Sequence, residues 1–274
     1  MLELNFVGVG PQRTASSWLH VVLAHHPSVA FPAGVKETMF FDQRFDKGLS
    51  WYEWHFRHAT EHQVVGEIAP TYFDHTAARE RLRTLYPELR IIINVRNPVE
   101  RAHSLYRHHR AKGRVSGTFR EAVHQQPSIL SAGHYRRECE AWEALFGTDH
   151  VLYVVQEDVS SNPGRVLDEV CAFLGLRPID LPTGARGKVN EGTDPRFPTL
   201  ARMMSSTATL LRGARLHWLA EAGKRLGLTR LYSGGRAAPP LDPTLEHELA
   251  AMYDDDISWL ERRLNRSFSS WRNA

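Results

Sequence analysis

The chain has 274 residues and 31.2 kDa, with 42% hydrophobic and 24% charged residues and a formal net charge of +3, from 34 Lys and Arg against 31 Asp and Glu. That balance excludes a disordered, collagen-like or disulfide-scaffold protein; the two cysteines, Cys139 and Cys171, form neither a disulfide framework nor, by themselves, a zinc site. No apolar run approaches the roughly 20 residues of a membrane span, and MLELNFVGVG lacks the basic and long apolar regions of a signal peptide, so a soluble cytoplasmic protein with no membrane partner is expected.

Leu4 to Val7 reads as a buried strand, closed by the tight turn Gly8-Val9-Gly10-Pro11. Residues 15–25 then set Trp18, Leu19, Val22 and Leu23 at helical spacing. VVGEI at 64–68 and RIIINV at 90–95 read as strands, the second with the unbroken apolar run of a central parallel strand. Between them, TAARERLRTLYP is a crossover helix that stops at Pro87, and Pro98 opens the next helix through Ala102, Leu105 and Tyr106. A helix over 134–146, a strand over 150–155 and a helix over 163–174 follow. Such alternation implies an α/β fold, a three-layer α/β/α sandwich on a central parallel sheet. Residues 176–198 form a long loop, and SGGRAAPPLDP at 233–243 precedes one last helix with Leu245, Leu249, Met252, Ile257, Leu260 and Leu264 as its apolar stripe. No repeat or break in composition divides the chain, so a single domain over 1–274 is expected.

Charge is unevenly spread. Residues 91–137 hold nine Lys and Arg against two Asp and Glu, residues 138–185 two against nine, and residues 186–236 ten against three. Two basic segments flanking an acidic one suit a small anion; without zinc-finger spacing or an RNA-binding aromatic motif, no nucleic-acid partner is expected. The segment GVGPQRTASSW is where such an anion meets a helix N-terminus: Gly8 and Gly10 permit the turn, Thr14, Ser16 and Ser17 bring hydroxyls, and Arg13 a planar fork of donors. A plain strand–helix turn with a Ser or Thr cap fits the same residues. The nucleoside-triphosphatase loop does not, because its Gly-Lys pair would fall on Ala15 and Ser16.

These residues resemble a known family, the sulfotransferases that use 3′-phosphoadenosine 5′-phosphosulfate (PAPS). PQRTASSWL resembles their 5′-phosphosulfate loop, and VRNPVERAHSLY at 95–106 their 3′-phosphate element, a strand-ending Arg with a Ser eight residues on. KETMFFDQRFDKGLSWY at 36–52, GEIAPTYF at 66–73, SGGR at 233–236 followed by LDP, and NRSFSSW at 265–271 are similar to segments of the heparan sulfate 3-O and N enzymes, in the same order.

The resemblance implies a P-loop-like fold and transfer of a sulfuryl group from PAPS to a hydroxyl or amine, with 3′-phosphoadenosine 5′-phosphate (PAP) as product and no metal. It makes Glu37 the general base, Arg13 the cation at the leaving phosphate, and Lys36 a lysine near sulfate or acceptor. Gln12, Arg13, Thr14, Ala15, Ser16, Ser17 and Trp18 wrap the 5′-phosphate, Arg96 and Ser104 bind the 3′-phosphate, and Arg236 closes over that end. Four departures stand out: Arg13 replaces the family's usual Lys, a change with which activity is expected to be retained, Ala15 replaces a usual Gly, and Ile68 and Gly234 each replace a lysine of the heparan enzymes. With fewer cations for a polyanionic chain, a small-molecule or glycoside acceptor is expected, such as a bacterial secondary metabolite. Read from its residues alone, Glu37 also fits a salt-bridge partner of Lys36 or Arg44, and His134 is a spare base candidate. A non-catalytic nucleotide-binding protein and a P-loop small-molecule kinase are the alternative functions.

Overall fold

A computed structural model of the chain describes residues 2–183, 185, 207 and 240–272. In chain order its elements are β1 (Phe6–Gly8), α1 (Ser16–Ala24), β2 (Val29–Ala30), α2 (Phe40–Gln43), α3 (Leu49–Glu53), β3 (Val64–Ile68), α4 (Thr76–Leu85), β4 (Arg90–Val95), α5 (Pro98–Ala111), α6 (Phe119–Gln125), α7 (Ser128–Ser131), α8 (Tyr135–Phe146), β5 (Val151–Val155), α9 (Gln156–Ser161), α10 (Pro163–Leu174), α11 (Pro243–Met252) and α12 (Asp254–Leu264). They divide into two compact units, one drawn from Met1–Arg96, Tyr135–Val189 and Arg262–Asn265, the other from Asn97–His134, Asn190–Glu261 and Arg266–Ala274.

The first unit carries a five-stranded sheet in the order β2-β3-β1-β4-β5, with every pairing parallel. Phe6 lies opposite Gly66 and Arg90, and Gly8 opposite Ile68 and Ile92. Gly66 is required there, because a Cβ would sit 2.1 Å from the Phe6 ring. One face of the sheet buries Phe6, Ile68, Ile92 and Val154 against Trp18, Leu19, Val22 and Leu23 of α1 and Val166, Leu167, Val170 and Cys171 of α10. Each such side chain contributes about 1.5–3 kcal/mol by leaving water. The other face is covered by α8, with α4 packed on it. There Trp142 is wholly buried and donates Nε1 to the Phe73 carbonyl at 3.0 Å, and Arg79 pairs with Glu138 at 3.0 Å. The result is the three-layer α/β/α arrangement on a parallel sheet.

Helix starts follow local chemistry. Asn97 accepts from the Val99 and Glu100 amides ahead of Pro98, and Asn162 from Arg165 ahead of Pro163. Gly175, at φ 70°, ends α10 in the left-handed conformation. In the second unit, a Thr118–Glu121 capping box opens α6. The last helix departs from expectation, because it is two helices broken at Tyr253. That residue is buried and donates its hydroxyl to the Leu130 carbonyl at 2.9 Å. Asp254, Asp255 and Asp256 then open α12, where carboxylates suit the positive end of the helix dipole. Of the expected stripe, Leu249, Ile257 and Leu260 are buried and Met252 is exposed. No helix among the described residues is long and apolar enough to cross a membrane.

Candidate functional site

In an open parallel sheet, ligands bind beyond the carboxyl ends of the strands where the strand order reverses. Here the chain leaves β1 on one side for β2 and β3 and on the other for β4, so the reversal lies beside β1. The loop that follows β1 is held tightly to β4. Val9 donates its amide to Ile92 O at 2.9 Å, and a Cβ on Gly10 would meet Asn94 N at 2.3 Å and Asn94 O at 2.4 Å. Thr14 is buried and closes the loop by donating its hydroxyl to the Pro11 carbonyl at 2.6 Å. Arg13 and Ala15 both take positive φ, 77° and 66°. Such geometry costs an L-residue roughly 1–2 kcal/mol, which is the physical reason a glycine suits position 15. Ala15 brings no side-chain cap to α1, so the first-turn amides face forward from the helix end without one.

Lys36 and Glu37, which follow β2, come to this helix end. The Lys36 ammonium lies 3.4 Å from Ser16 Oγ, 3.3 Å from Ser17 Oγ and 3.1 Å from Glu37 Oε1. Both side chains stay partly exposed, at 29% and 24%. Glu37 therefore does pair with Lys36, and Arg44 donates to the Thr38 carbonyl. One turn along α1, the His20 ring rests 4.7 Å from Phe31. Burial, aided by the Lys36 charge, lowers its pKa to about 4, so it is a neutral imidazole at neutral pH.

Behind Glu37 lies a second carboxylate, one outside the expected site residues. Glu67, on β3, is fully buried; its Oε1 accepts from the Thr38 amide at 2.5 Å, and its Oε2 accepts from the Tyr52 and Tyr72 hydroxyls at 3.2 and 3.3 Å. Burial raises its pKa to about 7, against the lowering effect of those hydrogen bonds and with a smaller push from Glu37. The signal available in the sequence was a lone carboxylate inside the apolar strand VVGEI with Tyr72 five residues on.

The other expected residues are distributed as follows. Gln12 is half-buried in the loop, and Trp18 turns its ring into the core, donating Nε1 to Ala185 O at 3.1 Å. Arg96 closes β4 in the first unit, its carbonyl accepting from Tyr135 Oη at 2.7 Å. Ser104 lies half-buried on α5 of the second unit. Arg236 and Gly234 fall outside the described residues. His134, in the second unit, pairs through Nδ1 with Asp256 at 2.9 Å. Ile68 is wholly buried against Gly8 and Leu19, an apolar core residue. Beside the loop, Asn94 is 1% exposed, and neither its Nδ2 nor its Oδ1 has a hydrogen-bond partner. Among the described residues, no group of three or more His, Cys, Asp or Glu is arranged to hold a metal ion.

Comparison with known proteins bears on the family and the fold. The sulfotransferase domain family matches residues 5–183. The chain is 28% identical over 293 aligned positions to the bifunctional heparan sulfate N-deacetylase/N-sulfotransferase 4 of Mus musculus, covering 97% of this chain and 31% of that protein. It is 29% identical over 196 positions to the corresponding enzyme 2 of Homo sapiens, covering 64% and 22%. The chain thus spans less than a third of the length of these relatives. In structure it resembles a sulfotransferase from Alicyclobacillus acidocaldarius, with a TM-score of 0.72, 23% identity, and 99% and 100% of the two chains covered. With the family's domain matched from β1 to the end of α10 and the same fold recovered over nearly the whole chain, this protein belongs to the sulfotransferase family of enzymes.

Proposed function

We propose that the chain moves the sulfuryl group of PAPS to a hydroxyl or amine of a small-molecule or glycoside acceptor, with Glu37 as general base. The observation that carries this reading is the convergence of Lys36, Glu37, Ser16 and Ser17 at the N-terminus of α1. The residues present fit the donor. Gly10 leaves backbone where a Cβ would collide, the α1 amides have no side-chain cap, and the Asn94 amide beside the loop is unpartnered. These are the features an anionic group at a helix N-terminus requires. PAPS supplies an activated sulfuryl group whose departure leaves PAP.

In this reading the first-turn amides of α1, with Ser16 and Ser17, orient the 5′-phosphosulfate. Lys36 already touches both serines, and with Arg13 it holds positive charge toward the oxygen that leaves. Glu37 Oε1, 3.1 Å from Lys36 Nζ, takes the acceptor's proton as the acceptor attacks sulfur, a role that contributes typically ~10²–10⁴-fold. Sulfuryl transfer, like phosphoryl transfer, otherwise needs mainly in-line positioning and cations on the leaving oxygen. Arg96 and Ser104 are the candidate ligands of the 3′-phosphate. The names of the relatives, heparan sulfate N-sulfotransferases, bring a glucosamine amine into the acceptor class.

The test is transfer from ³⁵S-labelled PAPS to a panel of phenols, alcohols and N-unsubstituted glucosaminyl oligosaccharides, by wild type and Glu37→Gln. Turnover is expected to fall at least ~10²-fold in the variant with PAP binding near normal. An unimpaired variant removes Glu37 from the mechanism. Calorimetry with PAP, ATP and ADP tests the donor: PAP alone should bind, and Arg96→Ala should lose it. Equal binding of all three argues against a site that reads the 3′-phosphate.

A further inference from the structure

Lys36 and Glu37 stand on the segment between β2 and α2, and little within that segment explains why it holds its shape. Met39 adopts a positive φ of 54°, an uncommon geometry for a non-glycine residue that must be held from outside. The Phe40 and Phe41 rings pack on Tyr52 and Tyr72, and buried polar contacts fix the backbone. Thr38 donates its amide to Glu67 Oε1, Phe40 and Phe41 donate theirs to the Tyr72 hydroxyl at 3.0 and 3.3 Å, and Tyr72 in turn donates to Glu67 Oε2. Tyr52 of α3 donates to the same oxygen, and Arg44 donates to the Thr38 carbonyl. Three backbone amides just past Glu37 thus converge, directly or through one phenol, on a single carboxylate.

We propose that Glu67 is a positioning residue for the reaction: its carboxylate, through the Thr38 amide and the Tyr52 and Tyr72 hydroxyls, fixes the segment that presents Lys36 and Glu37 to the end of α1. This inference rests on the reading of Glu37 as the base. Glu67 does not reach the reacting atoms and acts through its neighbour. In its ionised form Glu67 accepts all three hydrogen bonds. Protonation removes the charge that strengthens them and turns one oxygen into a donor.

The groups that face Glu67 fix the direction of its pH response. Glu37 comes from its partner segment, in which Asp42 acts on Tyr72 and Arg44 donates to the Thr38 carbonyl; Tyr52 comes from α3 with Tyr86 behind it, and Tyr72 from the single-turn 3₁₀ helix Pro70–Tyr72. From β1 it meets Val7, which brings no charge. Burial and the Glu37 charge favour the neutral form, and the amide and phenol donors favour the charged form. The balance sets the switch at about pH 7. At a Glu67 that stays buried, the three hydrogen bonds to the segment therefore tighten as pH rises through neutrality and slacken below it, although burial makes the charged form the costlier one for the fold as a whole.

The test is a pH titration by NMR of protein labelled at glutamate carboxyls, lysine ammonium groups and backbone amides. In wild type, the Thr38 amide and the Glu37 carboxyl signals should move together, with a midpoint near pH 7. In Glu67→Gln that step should be absent, the Glu37 and Lys36 signals resting at their wild-type low-pH positions. Transfer from labelled PAPS to an N-unsubstituted glucosaminyl oligosaccharide should show kcat lowered about tenfold in this variant. KM for PAPS should stay within about twofold, and the rising limb near pH 7 should be lost. Tyr52→Phe keeps the carboxylate and removes one donor, so it moves the midpoint upward, and it decides the matter if Glu67→Gln does not fold. Unmoved Glu37 and Lys36 signals in Glu67→Gln, or an undisplaced midpoint in Tyr52→Phe, overturn the proposal. Full turnover by Glu37→Gln would instead remove the base, while the NMR coupling between residues 67 and 37 is read without turnover.

Discussion

Glu67 also makes a quantitative statement about stability. A free glutamate titrates at 4.5 and this one at about 7, so the folded protein holds its proton more tightly than the unfolded chain does. The group's stabilising contribution is therefore complete below pH 4.5, is lost progressively as pH rises toward 7, and levels off above that. At ~1.4 kcal/mol per pH unit, the loss amounts to about 3 kcal/mol. Glu67→Gln has no proton to lose there, so the difference between wild-type and variant stability isolates the effect. Urea unfolding at intervals from pH 4.5 to 8 should find wild type losing about 3 kcal/mol relative to Glu67→Gln across that range. With a slope of roughly 3 kcal/mol per molar urea, this is a relative midpoint shift of about 1 M. A difference that stays constant over the range would refute the argument: the carboxylate would then be as well solvated by its three donors as by water. A rise in wild-type stability relative to the variant would reverse its sign.

Two perturbations of the phosphate loop follow from its backbone. Gly10→Ala pushes a methyl group to within 2.3 Å of the β4 backbone, which has no flexible end to yield. PAP affinity measured by calorimetry should fall at least ~10²-fold while far-UV circular dichroism stays near wild type, because the loop and not the sheet must shift. Ala15→Gly relieves a positive φ of 66° and should raise the unfolding free energy by up to ~1 kcal/mol, read as a higher urea midpoint. A lowered midpoint would mean that the left-handed geometry at 15 carries little strain.

Much of the architecture is legible without coordinates, and the reason is periodicity. The short β-branched run IIINV favours a buried strand, and the spacing of Trp18, Leu19, Val22 and Leu23 favours a helix on its face. Proline and asparagine punctuate reliably, as Asn97-Pro98 and Asn162-Pro163 do, because their effects act within four residues. Short elements are less legible. β2 is two residues long, and α2 and α7 are four each, too few to display a period. The break at Tyr253 follows from a buried hydroxyl reaching a carbonyl 123 residues away in sequence, which local pattern does not encode.

The site divides the same way. The loop at 8–17 stands out in the sequence, because anion binding needs glycines, hydroxyls and cations at set spacings beside a strand end, whereas the Lys36-Glu37 pair and Arg96 are singled out by the family resemblance. That Lys36 bridges Ser16 and Ser17, that Ile68 faces the core where the heparan enzymes carry lysine, and that Thr14 closes its own loop all depend on which side chains meet across the sheet. Glu67 is the sharpest case. By itself the sequence determined that β3 carries a carboxylate among apolar residues. Only the tertiary structure decided its environment, because hydrogen bonding and burial depend on neighbours from 29 residues before it to five after it, and those two effects alone govern whether a carboxyl group stays charged.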